Sequence, residues 1–242
     1  MREPATPQHV AIIMDGNNRW GVGKKRLAGH KAGADALKHV IRRCIQRRVS
    51  ILSVFAFSSE NWSRPKFEVD GLMRLLEKSL INEVPELIAN RIAVEVIGDR
   101  SRFSRSLQEA MDYAEVATKA GERLKLNVLA NYGGRWDIAD TARRMAKACL
   151  SGALSLDSFD EHSFDQYQNL AGQPPVDLVI RTGGEKRISN FLLWQSAYAE
   201  LVFSDLLWPN FDGEAFDACL DEYARRDRRF GLTSDQIRDE IC

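Results

Sequence analysis

Four short segments hold the residues best suited to phosphate and proton chemistry. They are Asp15-Gly16-Asn17-Asn18-Arg19-Trp20, continued by Arg26, Gly29 and His30; Ser58-Ser59-Glu60-Asn61-Trp62-Ser63-Arg64; Asn131-Tyr132-Gly133-Gly134-Arg135-Trp136; and Arg181-Thr182-Gly183-Gly184-Glu185-Lys186-Arg187-Ile188-Ser189. Each mixes glycine with arginine and small hydroxyl or amide side chains. Glycine lets the backbone approach a ligand, and helix N-termini attract anions. Arginine adds bidentate hydrogen bonds to phosphate oxygens. A pocket gathering Arg19, Arg26, Arg64, Arg181 and Arg187 would hold more than one phosphate group, which points to two diphosphates. Asp15 reads as a metal contact, because magnesium takes one or two carboxylates together with phosphate oxygens and water. Glu200, in the run Tyr198-Ala199-Glu200-Leu201, reads as a second ligand, from elsewhere in the chain or from a neighbouring subunit.

Taken singly, each segment has an ordinary reading. Asp-Gly-Asn after a strand is a turn, and Arg-Thr-Gly-Gly-Glu is a helix entry. Trp20, Trp62 and Trp136 suit core wedges, and His9, His39 and His162 suit structural or solvated positions. His30 stands apart through its neighbours Gly29 and Arg26. The functional reading rests on the conjunction, since all four segments fall at strand ends.

The elements that must position them alternate. Residues 9–14, 51–57, 92–97, 124–130 and 176–180 are apolar runs of strand length. Residues 29–47, 67–89, 107–120, 136–150 and 215–226 carry apolar side chains at helical spacing, with Pro85 expected to kink or end the second. Residues 151–175 are the most loop-like stretch. Continuous apolar strands alternating with helices imply an α/β domain whose mostly parallel sheet is covered on both faces. Ligands of such sheets bind beyond the carboxyl ends of the strands, where the polar segments lie.

Composition narrows the partners. The 242 residues contain 34 Lys plus Arg and 34 Asp plus Glu, so the formal net charge is zero and no basic excess argues for nucleic acid. Cys44, Cys149, Cys219 and Cys242 are scattered, which suits neither a disulfide framework nor a zinc site and fits a reducing cytoplasm. The opening MREPATPQ is too polar to read as a signal peptide, and no apolar run is long enough to span a bilayer. Contact with lipid is therefore expected to be peripheral at most, at the inner face of the membrane.

The segments HVAIIMDGNNRW, FAFSSENWSRP, NVLANYGGRWDI, DLVIRTGGEKRISNFLLWQSAYAEL and LWPNF resemble, in order, the signature motifs of cis-prenyltransferases of the bacterial undecaprenyl diphosphate synthase kind. The resemblance runs from residue 9 to about residue 230. It implies one catalytic domain over residues 1–242, a six-stranded sheet flanked by helices, an apolar tunnel and a homodimer. It also implies magnesium-dependent addition of isopentenyl diphosphate units to an allylic primer, farnesyl diphosphate, to make a long polyprenyl carrier for bacterial wall polymers. On the matching positions, Asp15 handles magnesium and diphosphate. Gly16, Asn17, Asn18, Arg19, Trp20, Arg26 and His30 hold the primer. Ser58, Ser59, Glu60, Trp62 and Arg64 belong to a mobile substrate loop, in which Asn61 helps remove the proton. Arg181, Arg187, Ile188 and Ser189 hold isopentenyl diphosphate, and Glu200 is the second metal ligand. Leu72, Leu76, Leu80, Val54 and Ala56 are candidates to line the tunnel.

This chain departs from the pattern at Asn18, where a second glycine is common, at Lys186, where histidine is common, and in a shorter spacing between Trp20 and Arg26. Competing classes fit less well. A phosphohydrolase of the haloacid dehalogenase type needs a second Asp where Asn17 stands, and a trans-prenyltransferase needs Asp-Asp pairs that the chain lacks. A non-catalytic accessory subunit of the same family would have lost Asp15 or the arginines.

Overall fold

A computed structural model of the chain describes residues 6–24 and 27–226; Arg26 therefore lies outside the described residues. Six strands form one sheet: β1 (His9–Ile13), β2 (Ile51–Ser58), β3 (Ile92–Ile97), β4 (Leu124–Tyr132), β5 (Leu178–Arg181) and β6 (Glu200–Phe203). Their spatial order is β3-β4-β2-β1-β5-β6, and every pairing among them is parallel. The chain moves outward from β1 in one direction through β2, then returns to β1's other side with β5. The strand order thus reverses at β1, where a doubly wound sheet opens a crevice beyond its strand ends.

Both faces of the sheet are covered, which is why the strands read as unbroken apolar runs. One face, carrying Val10, Ile12, Leu52 and Val54, packs on α2 (Ala28–Gln46), α5 (Arg105–Thr118) and α8 (Gly213–Ala224) through Val40, Met111 and Phe216. The other, carrying Ala11, Ile13, Leu129 and Val179, packs on Phe191, Leu192 and Trp136 of α6 (Gly134–Leu150). A four-residue helix, α1 (Asn17–Trp20), follows β1 directly.

The long helical stretch read over 67–89 is two helices, α3 (Lys66–Asn82) and α4 (Val84–Ala89), with Pro85 in the first turn of α4. Proline is at home there because its missing N–H would have no helical partner. The stretch 151–175 holds a short helix, α7 (Glu161–Tyr167), whose first turn is capped by Asp160 accepting from the Ser163 N–H at 2.8 Å. Its polar sequence offers no apolar periodicity, so the cap is its main sequence signal. Strand β6 is likewise too short, at four residues on the sheet edge, to stand out as a run.

Two irregularities shape the end of the sheet that faces the crevice. The pairing of β2 with β4 shifts between Phe55 and Phe57, leaving Ala56 as an extra residue, and shifts again so that Asn131 is extra on β4. Asn131 takes a positive φ of 51°. Bulges of this kind re-aim side chains beside functional sites. Here they turn Ala56 into an open space and let Asn131 accept from Trp62 Nε1 at 2.7 Å.

Candidate active site

Asp15 follows β1 and meets Arg181, the last residue of β5. Its Oδ2 accepts from Arg181 Nη2 at 2.8 Å, and its Oδ1 lies 3.3 Å from Arg19 Nη2. The backbone is held as firmly as the side chain. Asp15 N–H donates to Thr182 Oγ1 at 3.0 Å, while its carbonyl accepts from that hydroxyl at 2.8 Å and from the Trp208 N–H at 2.9 Å. Gly16 has φ 109°, and a Cβ there would come within 2.9 Å of the Leu207 backbone, so glycine is required. Positive φ thus falls on Gly16, whereas Asn18 sits inside α1 with no left-handed backbone to tolerate.

Burial alone would raise the Asp15 pKa. The Arg181 hydrogen bond, the charges of Arg181 and Arg19 and the Gly16 N–H outweigh it and hold the carboxyl below its usual value. Arg181 is only 4% exposed. Its Nη1 donates to the Arg187 carbonyl at 2.6 Å and to Ser189 Oγ at 2.7 Å, and its Nε is buried with no partner among the described residues.

Asp15, Gly16, Asn17, Asn18, Arg19, His30, Ser58, Asn61, Arg64, Arg181 and Ser189 line one polar cavity of about 280 Å³. Asn61 lies in a tight turn over Ser59–Ser63 and accepts from the Ser58 N–H at 3.1 Å. On the opposite wall Asn18 Nδ2 donates to Glu68 at 2.9 Å, and Arg64 pairs with the same carboxylate at 3.1 Å. His30 Nε2 lies 2.8 Å from Asn18 Oδ1. Burial, then the Arg64 charge, lower the His30 pKa against the pull of Glu68, so the ring is neutral at pH 7 and donates from Nε2.

The other expected site residues stand outside this cavity. Glu60 and Ser59 sit on its rim, where Glu60 accepts from Asn190 at 2.9 Å. The Arg187 side chain turns outward to Glu185 at 2.5 Å, and only its carbonyl reaches Arg181. Ile188 packs on the second core face. Trp20 donates to Asn210, and Trp62 packs against Phe57 and Phe103 in the core. Glu200 is not brought to Asp15 within one chain. It opens β6 and pairs in register with Leu178, three residues before Arg181, about 10 Å back along the strand. There it forms an ion pair with Arg226 at 2.7 Å.

Two contributors had little sequence signal. Thr182 clamps the Asp15 backbone, and Asn190 joins three parts of the rim. Its carbonyl and Oδ1 accept from the Gly134 and Arg135 N–H groups that open α6, at 2.6 and 2.9 Å, while its Nδ2 donates to Glu60. Both lie in the expected segments, but only the fold brings Thr182 to Asp15 and Asn190 to Glu60 and α6.

A second cavity, of about 210 Å³, runs between the sheet and helices α2 and α3. Val54, Ala56, Leu72, Leu76 and Leu80 line it as expected, joined by Leu37, Ile41, Val94 and Val128. Met14, Asn17, His30, Ala56 and Leu72 border both cavities. The cationic mouth and the apolar cavity therefore adjoin across these residues. Among the described residues no group of three or more His, Cys, Asp or Glu converges on a metal site. Asp15 is a lone carboxylate at an anion pocket, a donor set that suits magnesium arriving with phosphate oxygens.

Fold and site together define an α/β protein with a cationic crevice at its strand ends beside an apolar cavity between sheet and helices. The chain belongs to the undecaprenyl diphosphate synthase family, the cis-prenyltransferases: the family described as "Putative undecaprenyl diphosphate synthase" matches residues 13–231. It is 51% identical, over 99% of this chain and 96% of the relative, to the (2E,6E)-farnesyl-diphosphate-specific ditrans,polycis-undecaprenyl-diphosphate synthase of Pseudomonas aeruginosa. Among solved structures it is similar to lavandulyl diphosphate synthase from Lavandula x intermedia in complex with dimethylallyl diphosphate. That match has TM-score 0.90 and 39% identity, covering 93% of this chain and 98% of that one. An undecaprenyl diphosphate synthase structure from Campylobacter jejuni, titled as probable, matches with TM-score 0.79 and 33% identity, covering 96% and 100%. No helix among the described residues is long and apolar enough to cross a membrane.

Proposed function

We propose that this protein condenses isopentenyl diphosphate units onto farnesyl diphosphate to make a long polyprenyl diphosphate, undecaprenyl diphosphate by its likeness to the curated relatives. The observation that carries this reading is the junction of the two cavities. A polar mouth holding Asp15, Arg19, Arg64 and Arg181 meets an apolar channel at Met14, Asn17, His30, Ala56 and Leu72. A diphosphate with a hydrocarbon tail fits both halves at once; a soluble phosphate ester would leave the channel idle.

In each cycle the allylic C1–O bond breaks and the diphosphate departs with the electron pair. A bond forms from C4 of isopentenyl diphosphate to that C1, and a proton leaves C2 as the new double bond forms. Arg19, Arg181 and the N–H groups after β1 stabilise the charge developing on the leaving oxygens. Asn61 is an amide and cannot keep the proton, so its part is to orient the reacting groups; the proton ends on the released diphosphate. Asp15 would hold a magnesium ion together with diphosphate oxygens, and that ion supplies Lewis-acid neutralisation of the leaving group. The buried Arg181, fixed by Asp15 and Ser189, gives isopentenyl diphosphate its anchor, with the Arg187 carbonyl helping to hold the Arg181 guanidinium in place.

The reading extends to a homodimer of single catalytic domains in the cytoplasm, touching the membrane peripherally when product leaves. Since Glu200 lies away from Asp15 in its own chain, a neighbouring subunit is the route by which it would serve as a second ligand. The test is incubation with farnesyl diphosphate, radiolabelled isopentenyl diphosphate and magnesium, with chain-length analysis of the products. Long labelled products that vanish with EDTA are expected. No incorporation with any allylic primer would overturn the reading in favour of an accessory subunit.

A further inference from the structure

Ser189 and Asn190, side by side after β5, both have positive φ, 47° and 63°, a conformation that residues bearing a side chain seldom adopt twice in succession. Their side chains meet different partners. Ser189 Oγ accepts from Arg181 Nη1 at 2.7 Å, and Arg181 is itself buried. Asn190 accepts from the Gly134 and Arg135 N–H groups at the start of α6 and donates from Nδ2 to Glu60 Oε1 at 2.9 Å. The approach is so close that a Cβ on Gly133 would lie 2.7 Å from Asn190 Nδ2 and 2.9 Å from Ser59 Oγ. Glu60 in turn belongs to the tight turn that carries Asn61. That turn is stiffened from within. Ser63 Oγ donates to the Glu60 carbonyl at 2.7 Å, Ser59 Oγ to Glu60 Oε2 at 3.1 Å, and the Ser58 N–H to Asn61 Oδ1 at 3.1 Å. Burial alone would raise the Glu60 pKa, but hydrogen bonds, led by the one from Asn190, bring it below its usual value. The carboxylate is therefore ionised at pH 7 and the Asn190 bond to it is charge-assisted.

We propose that Asn190 is a positioning residue that couples the Arg181 anchor to the turn carrying Asn61, so that binding of isopentenyl diphosphate sets Asn61 for the condensation. The inference rests on the activity proposed above and adds a residue that stands outside the polar cavity. The route is contiguous: Arg181 to Ser189, one peptide link to Asn190, then Asn190 to Glu60. A diphosphate on Arg181 fixes the guanidinium and with it the Ser189 hydroxyl. Asn190 cannot swing away to absorb the change, because two N–H groups of α6 hold it. Glu60 is held in step, and the internal bonds of the turn pass its position to Asn61. The turn has a second tether, Trp62 Nε1 donating to Asn131 Oδ1 at 2.7 Å. Loss of the Asn190 link therefore loosens Asn61 without releasing the whole turn.

The test is a swap that preserves the links to α6. Asn190→Asp keeps an acceptor for the Arg135 N–H but sets a carboxylate against Glu60. The kcat for condensation should fall about tenfold, with the KM for farnesyl diphosphate little changed. The double variant N190D/E60Q restores a donor and an acceptor in the opposite sense and should regain most of the lost rate. The double variant N190D/E60M has the net charge of the wild type but no hydrogen bond, and should stay slow. A wild-type rate in Asn190→Asp, or equal rates in the two double variants, overturns the coupling and leaves the condensation standing. A second readout needs no turnover: hydrogen exchange of the backbone amides of residues 58–64, followed by mass spectrometry. Isopentenyl diphosphate with magnesium should slow that exchange in wild type and in N190D/E60Q but not in Asn190→Asp. No slowing in wild type, or equal slowing in wild type and Asn190→Asp, overturns the proposal whether or not the protein makes product.

Discussion

The mouth and the channel are built by different means. Around the mouth, left-handed backbone recurs at Gly16, Gly183 and Gly184 just past strand ends, at the bulge residue Asn131, and at Ser189, Asn190 and Leu192 in the loop after β5. The channel wall comes from regular α2, α3 and the middle of the strands. The mouth must fix charged atoms to within a fraction of an ångström, and it does so with backbone hydrogen bonds and a buried arginine. The channel must let a growing chain slide, and non-directional apolar contact suits that need. Positioning is therefore concentrated at one end of the molecule and capacity at the other.

The largest expected effect breaks the mouth alone. Asp15→Asn keeps the size of the side chain and an acceptor for Arg181 but removes the charge that both arginines face. Turnover should fall about a hundredfold or more, while alkyl diphosphates still gain affinity with tail length in the channel. Initial rates and calorimetry on the same preparation check both halves. Near-normal turnover would remove Asp15 from its central place, and loss of the length dependence would show that the two regions are not separable.

That separation also explains what could be read beforehand. Strands β1 to β5 and the helices that cover them are legible because burial on both faces writes continuous apolar runs and helical periodicity. The polar segments at strand ends are legible as a set, since Asp15, Arg19, Arg181 and Ser189 come together in one cavity. What escapes is geometry with no periodic signature. The extra residues Ala56 and Asn131 depend on the register of two strands, and the break expected at Pro85 falls two residues earlier, at Glu83, because Pro85 sits in the first turn of a second helix. Arg187 shows the limit from the other side: the residue type suits phosphate, but its guanidinium points to Glu185 and its carbonyl does the work at Arg181.

A smaller effect sharpens the boundary between the two regions. Ala56 is the extra residue of the bulge and faces the space shared by both cavities. Ala56→Trp should fill that passage at little cost to folding, because the added ring enters open volume instead of packed core. The first condensation should continue and long products should give way to chains one or two units longer than the primer. Unaltered product length in a folded variant would mean that the tail does not pass Ala56.

The smallest expected effect lies at the opposite end of the sheet, where no ligand is expected. His9 is 1% exposed, with Nδ1 2.8 Å from the Pro174 carbonyl and Nε2 2.7 Å from Ser53 Oγ. A carbonyl can only accept, so Nδ1 carries the proton and Nε2 accepts from the Ser53 hydroxyl, which itself accepts from Asn127 at 2.9 Å. Burial lowers the His9 pKa, against smaller upward pulls from the Pro174 carbonyl and Asp177. The unfolded chain, with histidine near 6.5, then binds a proton before the folded one does. Stability should be full above that value and decline as pH falls below it, by at most about 1.4 kcal/mol per pH unit for one proton. The depressed carboxyls, Asp15 among them, titrate below this window and do not contribute to it. His30 is also lowered and does contribute, so the comparison is between wild type, His9→Gln and His30→Gln. Urea unfolding between pH 5 and 7 should show a shallower slope in each variant than in wild type. A His9→Gln curve parallel to wild type would place the proton uptake elsewhere and leave the Ser53–Asn127 network as packing without a titrating member.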